Sequence, residues 1–314
     1  MHPSHEQRFT SDVKSAAAMA PHWTALLALV VANALLAIGP IFVRGADVGP
    51  VAAGFWRLAL ALPLLAAAAF VGGRGKPVRL RPAMWLALAV GGLAFAGDLA
   101  SWHLGILRTQ LANATLFGNA AVLFFPVYGF LLARRWPSWS QAVALALALT
   151  GAALLMGQSA EVSVRHLTGD LFCLLAGLLY TVYFAAMAHV RTRLGPVPAL
   201  TLATAAGTLP LLVAALAMGE RVMPHDWTPL IALALASQAL GQGLMIFALG
   251  QLTPMVIGIG LLIQPVIAGV VGWARYGERL GPVDLIGAAL VAVALVLVRR
   301  ERRDTLARPG PEGA

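Results

Sequence analysis

Residues Ala96 to Asn119 read AGDLASWHLGILRTQLANATLFGN. Asp98, His103, Asn113 and Asn119 stand there against an otherwise apolar background. Facing lipid, each polar group would need a partner that hydrocarbon cannot offer. An ionisable side chain at membrane depth therefore marks a candidate functional site. Whether this segment sits in a soluble core or in a membrane bundle sets the whole fold.

Composition decides for the membrane. The chain has 314 residues, of which 60% are hydrophobic and 11% charged, with a mean hydropathy of +0.82. Soluble domains carry about 25% charged residues, which they need to cover their surface. The net charge is +9, but the basic residues gather at span ends and in the tail Arg299, Arg300, Arg302 and Arg303. That pattern suits anionic lipid headgroups and gives no footprint for nucleic acid. The single cysteine, Cys173, excludes an internal disulfide and a thiolate metal cage. The first 22 residues are polar with no apolar stretch, so the first apolar segment is expected to serve as the membrane signal.

Ten segments are long enough to cross about 30 Å of hydrocarbon at about 1.5 Å per residue. They are Trp23–Val43, Gly49–Val71, Ala83–Leu107, Thr109–Ala133, Trp139–Gly157, Thr168–His189, Val197–Met218, Trp227–Gly250, Thr253–Ala274 and Gly281–Val298. With the N-terminus in the cytoplasm, fifteen of the 22 basic residues fall in cytoplasmic links and tails and six outside. Both termini are therefore expected in the cytoplasm, at the inner membrane. Trp23, Trp85, Trp136, Trp139, Trp227 and Trp273 stand at span ends, as interfacial anchors do.

The chain also repeats itself. Leu104-Gly105 recurs as Leu249-Gly250, Asn119 as Gln264, and Pro63 nearly as Pro210. A five-helix repeat is odd-numbered, so its second copy must enter the membrane upside down. Inverted repeats with broken helices are a transporter signature, with the substrate site near the midplane. The expected organisation is an N-terminal tail (1–22), a first repeat (23–157), a second repeat (158–298) and a basic C-terminal tail (299–314). The expected fold is an all-α membrane protein of two inverted five-helix repeats. Pro63 and Pro210 are expected to break the second and seventh spans.

The sequence resembles the drug/metabolite transporter superfamily, in the EamA group of ten-helix permeases. The likeness is carried by Ala96–His103 with Thr109–Asn119, by Phe55-Trp56-Arg57, by Gly169–Tyr183, and by Phe247–Leu290. Within the last, Gln264-Pro265, Gly277-Glu278-Arg279 and Ile286–Leu290 are the most specific. One departure is that Ala133-Arg134-Arg135 stands where the second half has Gly277-Glu278-Arg279. The resemblance implies a permease and places the fifth and tenth helices at the periphery. Their small residues, Ala142 and Ala146 with Gly287, Ala288 and Ala292, would then permit packing between two protomers.

Helix rise assigns depth to the candidate residues. Arg57 lies about 12 Å inside the outer end of span two, and Asp98 about 10–14 Å inside that of span three. The two are expected to face each other, directly or through water, either as a structural ion pair or as a proton or headgroup site. His103, one turn further out, is expected to be a solvated interfacial histidine or a proton relay. Asn33, Asn119, Gln238 and Gln264 each lie about ten residues into a span, close to the midplane. Tyr180 and Tyr183 reach a similar depth, and Gln242 is one turn from Gln238. Such groups serve either as interhelical glue or as the lining of a shared cavity. Phe117, Phe247 and Trp102 would be its apolar wall. Asp170 reads as a helix N-cap. Asn113-Ala114-Thr115 fits a glycosylation sequon but falls inside a span.

Neutral amides, phenols and one Arg/Asp pair suit a small polar metabolite such as an amino acid, exported with or without protons. A hydrophobic-cation carrier would want an acid free of arginine. An intramembrane enzyme would need a nucleophile motif, and neither that nor His-Glu-x-x-His is present. A lipid flippase would need a lateral groove. No cofactor or metal is expected.

Overall fold

The computed structural model describes residues 22–72, 80–109, 114, 117–157, 166–267, 270 and 281–307. All regular structure among them is helical. In chain order the helices are α1 (Trp23–Gly45), α2 (Pro50–Gly72), α3 (Pro82–Ile106) and α4 (Ala121–Ala133). They continue with α5 (Trp139–Gly157), α6 (Leu167–Val190), α7 (Pro196–Ala217) and α8 (Thr228–Leu249), then α9 (Pro254–Ile267) and α10 (Pro282–Ala307). Among the described residues, α1, α2, α3, α6, α7 and α8 are long and apolar enough to span a membrane, while the other four carry shorter apolar stretches. Glu278, Trp273, Asn113 and the N-terminal tail lie outside the described residues.

The burial pattern is that of a membrane bundle. Large apolar side chains point outward, including Phe70, Leu86, Leu131 and Trp139. Asn33, Thr204, Ser237 and Gln238 are buried completely. A water-soluble chain would do the reverse, and a contiguous apolar surface of this kind needs lipid around it. Trp136, 93% exposed between α4 and α5, fits an interfacial anchor.

Small residues let the helices approach. The most extensive contact is between α3 and α6, followed by α5 with α10 and α2 with α7. A Cβ on Gly105 of α3 would lie within 3.0 Å of the Gly169 carbonyl on α6, and Gly151 of α5 meets the Gly287 carbonyl of α10. On α4 and α9 the match is reciprocal: Gly129 takes Pro254, and Gly258 takes Pro126. The small faces of α5 and α10 are thus largely spent on each other, while Ala146 and Ala292 stay outward.

The breaks fall elsewhere than expected. Helices α2 and α7 run unbroken through Pro63 and Pro210. A membrane helix tolerates a proline when its surroundings re-satisfy the freed carbonyl. Among the described residues, discontinuities lie at Ile38 in α1, at Asn119-Ala120 before α4, and at Leu262 within α9. Residues Leu233–Gln242 of α8 form a π-helical stretch. Such widened turns are rare and are found mostly at functional sites.

Candidate functional site

Arg57 on α2 is the hub. It is 5% exposed. Its Nε donates to Gln238 Oε1 on α8 at 3.1 Å. Gln238 Nε2 in turn donates to Thr204 Oγ1 on α7 at 3.1 Å. The guanidinium carbon stands 5.6 Å from the centre of the Phe95 ring on α3. A desolvated cation gains from an aromatic face, and a planar guanidinium stacks there as an ammonium cannot. Four helices therefore fix one cation.

Asp98 on α3 is half-buried. It shares a helix stripe with Phe95 and Trp102, at i−3 and i+4. Of the two ways left open, direct or through water, the direct ion pair with Arg57 is not formed: none of 4.0 Å or less joins them. Arg57 is turned toward Gln238 instead. Asp98 nonetheless stands within electrostatic reach of Arg57, and both stand within reach of Tyr180 and Tyr183. The site thus holds a guanidinium and a carboxyl group near each other and unjoined.

Aromatic rings wall the same region. Tyr183 is fully buried and stacks on Phe95 at 4.5 Å between centroids. Tyr180 packs on Phe184 at 4.1 Å. Gln242 Nε2 donates to the Tyr180 hydroxyl at 3.1 Å, joining α8 to α6. The Tyr183 hydroxyl is buried with no hydrogen-bond partner.

Four of the amides fall into separate hydrogen-bonded groups. Gln264 Nε2 donates to Asn33 Oδ1 at 2.9 Å, tying α9 to α1, and Asn33 Nδ2 donates to the Leu29 carbonyl at 2.7 Å. That pair is interhelical glue. Gln238 and Gln242 belong instead to the Arg57 and Tyr180 networks. Asn119 is half-buried in the break before α4. Trp102 packs its indole edge against Gly118, where a Cβ would come within 3.0 Å of Nε1. Phe117 joins Trp102 in a small apolar cluster, and Phe247 packs on the main core.

His103 corrects the expectation of a solvated group, because it is completely buried. Its Nδ1 lies 2.7 Å from the Pro50 carbonyl. A carbonyl can only accept, so Nδ1 carries the hydrogen and Nε2 presents a lone pair. Nε2 is buried without a partner. Asp170 does not cap the helix start, which lies at His166 and has no side-chain cap. It accepts from Thr109 Oγ1 at 2.6 Å, holding the α3 end against α6.

Two participants escaped the sequence reading. Phe95 is an ordinary core residue by pattern, and Thr204 a common helix threonine. Only the π-helical stretch, invisible in the letters, sets Gln238 and Gln242 apart.

Residues 23–157 and 167–300 each match the model of the EamA-like transporter family. The threonine/homoserine exporter RhtA of Escherichia coli (strain K12) is 28% identical over 297 residues, spanning 90% of this chain and 95% of that one. RhtA of Salmonella typhimurium (strain LT2) is 26% identical over 295 residues, 90% of this chain and 94% of that one. An uncharacterized transporter of Archaeoglobus fulgidus is 27% identical over 203 residues, 65% of this chain and 72% of that one. A solved crystal structure superposes with a TM-score of 0.76 at 15% identity, over 90% of this chain and 99% of that one.

Proposed function

We propose, for a chain that belongs to the EamA-like transporter family, that it exports a small zwitterionic metabolite, of the α-amino acid class, across the inner membrane. The observation that carries this reading is the guanidinium of Arg57 and the carboxyl group of Asp98, near each other and unjoined in the bundle interior. A zwitterion supplies the missing counter-charges: its carboxylate meets the guanidinium, and its ammonium meets the carboxylate. Each contact is a charge-assisted hydrogen bond, stronger than a neutral one. A hydrophobic cation would satisfy Asp98 and leave Arg57 repelling it. The names of the Escherichia coli and Salmonella relatives, exporters of threonine and homoserine, support the same substrate class.

Ten crossings, in two inverted halves of residues 23–157 and 158–298 with both termini cytoplasmic, are the topology we assign. The helix contacts support it, because adding five to each helix number returns the most extensive of them. The α3–α6 contact becomes α8–α1, α3–α7 becomes α8–α2, and α2–α7, α4–α9 and α5–α10 map onto themselves. The breaks at Asn119-Ala120 and Leu262 also fall at nearly equivalent points of α4 and α9. Proton binding at Asp98 is the coupling step we assign: the neutral carboxyl lets the ammonium go. Outward Ala146 and Ala292 on the α5–α10 pair are the face we assign to a homodimer. This machinery needs no enzyme chemistry.

Overexpression is expected to protect cells against inhibitory amino acids and their analogues, with several-fold higher tolerance than empty-vector cells. Lower intracellular levels of the compound should accompany it. Protection confined to lipophilic cations such as ethidium contradicts the reading.

A further inference from the structure

At one end of the bundle, the link from α1 to α2 meets the link from α7 to α8. Both carboxylate oxygens of Glu220 accept backbone N–H groups at the start of α2, from Val51 at 3.2 Å and Ala52 at 2.8 Å. The first N–H groups of a helix have no partners within it, and the helix dipole favours a negative charge there. Around this contact, Gly49 N–H donates to the Arg221 carbonyl at 2.9 Å. Trp56 Nε1 donates to the Val222 carbonyl at 2.7 Å. Asp47 Oδ2 accepts from the His225 N–H at 2.8 Å and pairs with Arg221 at 3.4 Å. A Cβ on Gly49 would stand 2.5 Å or less from Glu220 side-chain atoms, so the approach requires glycine.

The clasp joins a segment of residues 23–157 to a segment beyond them. It holds the first turn of α2, and Arg57 lies five residues below Ala52 on that helix, about 7.5 Å along its axis. Under the topology assigned above, this end faces the outside. We propose that Glu220 is the gate residue of the outer mouth: its grip on α2 keeps that mouth shut in this conformation, and substrate leaves only when the grip parts. The His225 amide, more than the Arg221 guanidinium, holds the half-buried Asp47 carboxyl below the usual carboxylate range, so the flanking contact stays charged at neutral pH.

The proposal rests on the transport reading, so its test includes an arm that needs no transport. In intact cells, His225→Cys alone is expected to react with a membrane-impermeant maleimide; reaction only from the cytoplasmic face overturns the assignment to the outer mouth. Ala53→Cys, buried in the first turn of α2, reports opening. Adding Glu220→Ala should raise its labelling rate about tenfold or more, the size expected for loss of charge-assisted hydrogen bonds. An unchanged rate overturns the proposal. Cross-linking Asp47→Cys to His225→Cys should abolish substrate counterflow, and a reductant should restore it. Full counterflow in the cross-linked protein likewise overturns it.

Discussion

Arg57→Ala is expected to export at least about a hundredfold more slowly than wild type while remaining inserted and monodisperse. The guanidinium is asked to bind a carboxylate in a dry site, where a hydrogen bond to a charged group is worth about 1.5–3 kcal/mol. Two such bonds lie within reach of a planar fork, which makes a hundredfold a modest estimate. The loss extends to Gln238, whose Oε1 would be left without its donor. Arg57→Lys should recover part of the rate only, because an ammonium offers no fork and stacks poorly on Phe95. Asp98→Asn is expected to fall as far for zwitterions. The double variant Arg57→Ala with Asp98→Asn separates this account from a structural one. Two groups that matter only as an ion pair would rescue each other when both are neutral. Two groups that each grip a different part of the substrate would not. Initial rates of counterflow in proteoliposomes, with equal protein incorporated, decide between them.

Gly92→Leu is expected to leave no folded protein. A Cβ at Gly92 would stand 2.5 Å from the Ala206 Cβ, 2.7 Å from the Ala203 carbonyl and 3.2 Å from the Gly207 nitrogen. Two of these neighbours are backbone atoms of α7, which no rotamer change can move aside. Even Gly92→Ala must push α3 and α7 apart, at a cost of about 1–3 kcal/mol for overpacking. The separation would also loosen the region in which Thr204 receives Gln238. Gly72→Ala, at the end of α2 with nothing within 4 Å, is the matched control and should change nothing. Thermal midpoints in detergent, read by the monodisperse fraction after heating, check both.

Much of the architecture was legible because bilayer physics leaves few options. A long apolar run such as Trp23–Val43 has one reading in a chain with so few charges. The letters set Arg57 level with Asp98, and Gln238 level with Tyr180, and the structure bonds Arg57 to Gln238. Which polar groups pair was not legible. Depth comes from counting residues, but pairing depends on rotation about each helix axis, which the apolar pattern defines poorly when every face is oily. So Asn33 and Gln264 bond to each other, and Arg57 donates to Gln238. His103 was misplaced for the same reason: position on the helix said interface, while close packing against Gly54 and the Pro50 carbonyl buries it. The prolines misled in another way. A missing N–H does not stop a helix that neighbouring helices hold, so the breaks appear at Asn119-Ala120 and Leu262 instead of at Pro63 and Pro210.

The most direct test of the charged site is competition in proteoliposome counterflow. A labelled α-amino acid carried by the wild type would be challenged with its unlabelled form, with the 2-hydroxy acid that lacks the ammonium, and with the amine that lacks the carboxylate. Because Arg57 and Asp98 are each assigned one end of the substrate, only the intact zwitterion should compete strongly, with each truncated analogue weaker by about tenfold or more, the loss of one charged hydrogen bond. Equal competition by all three, or competition by lipophilic cations alone, would contradict the assignment.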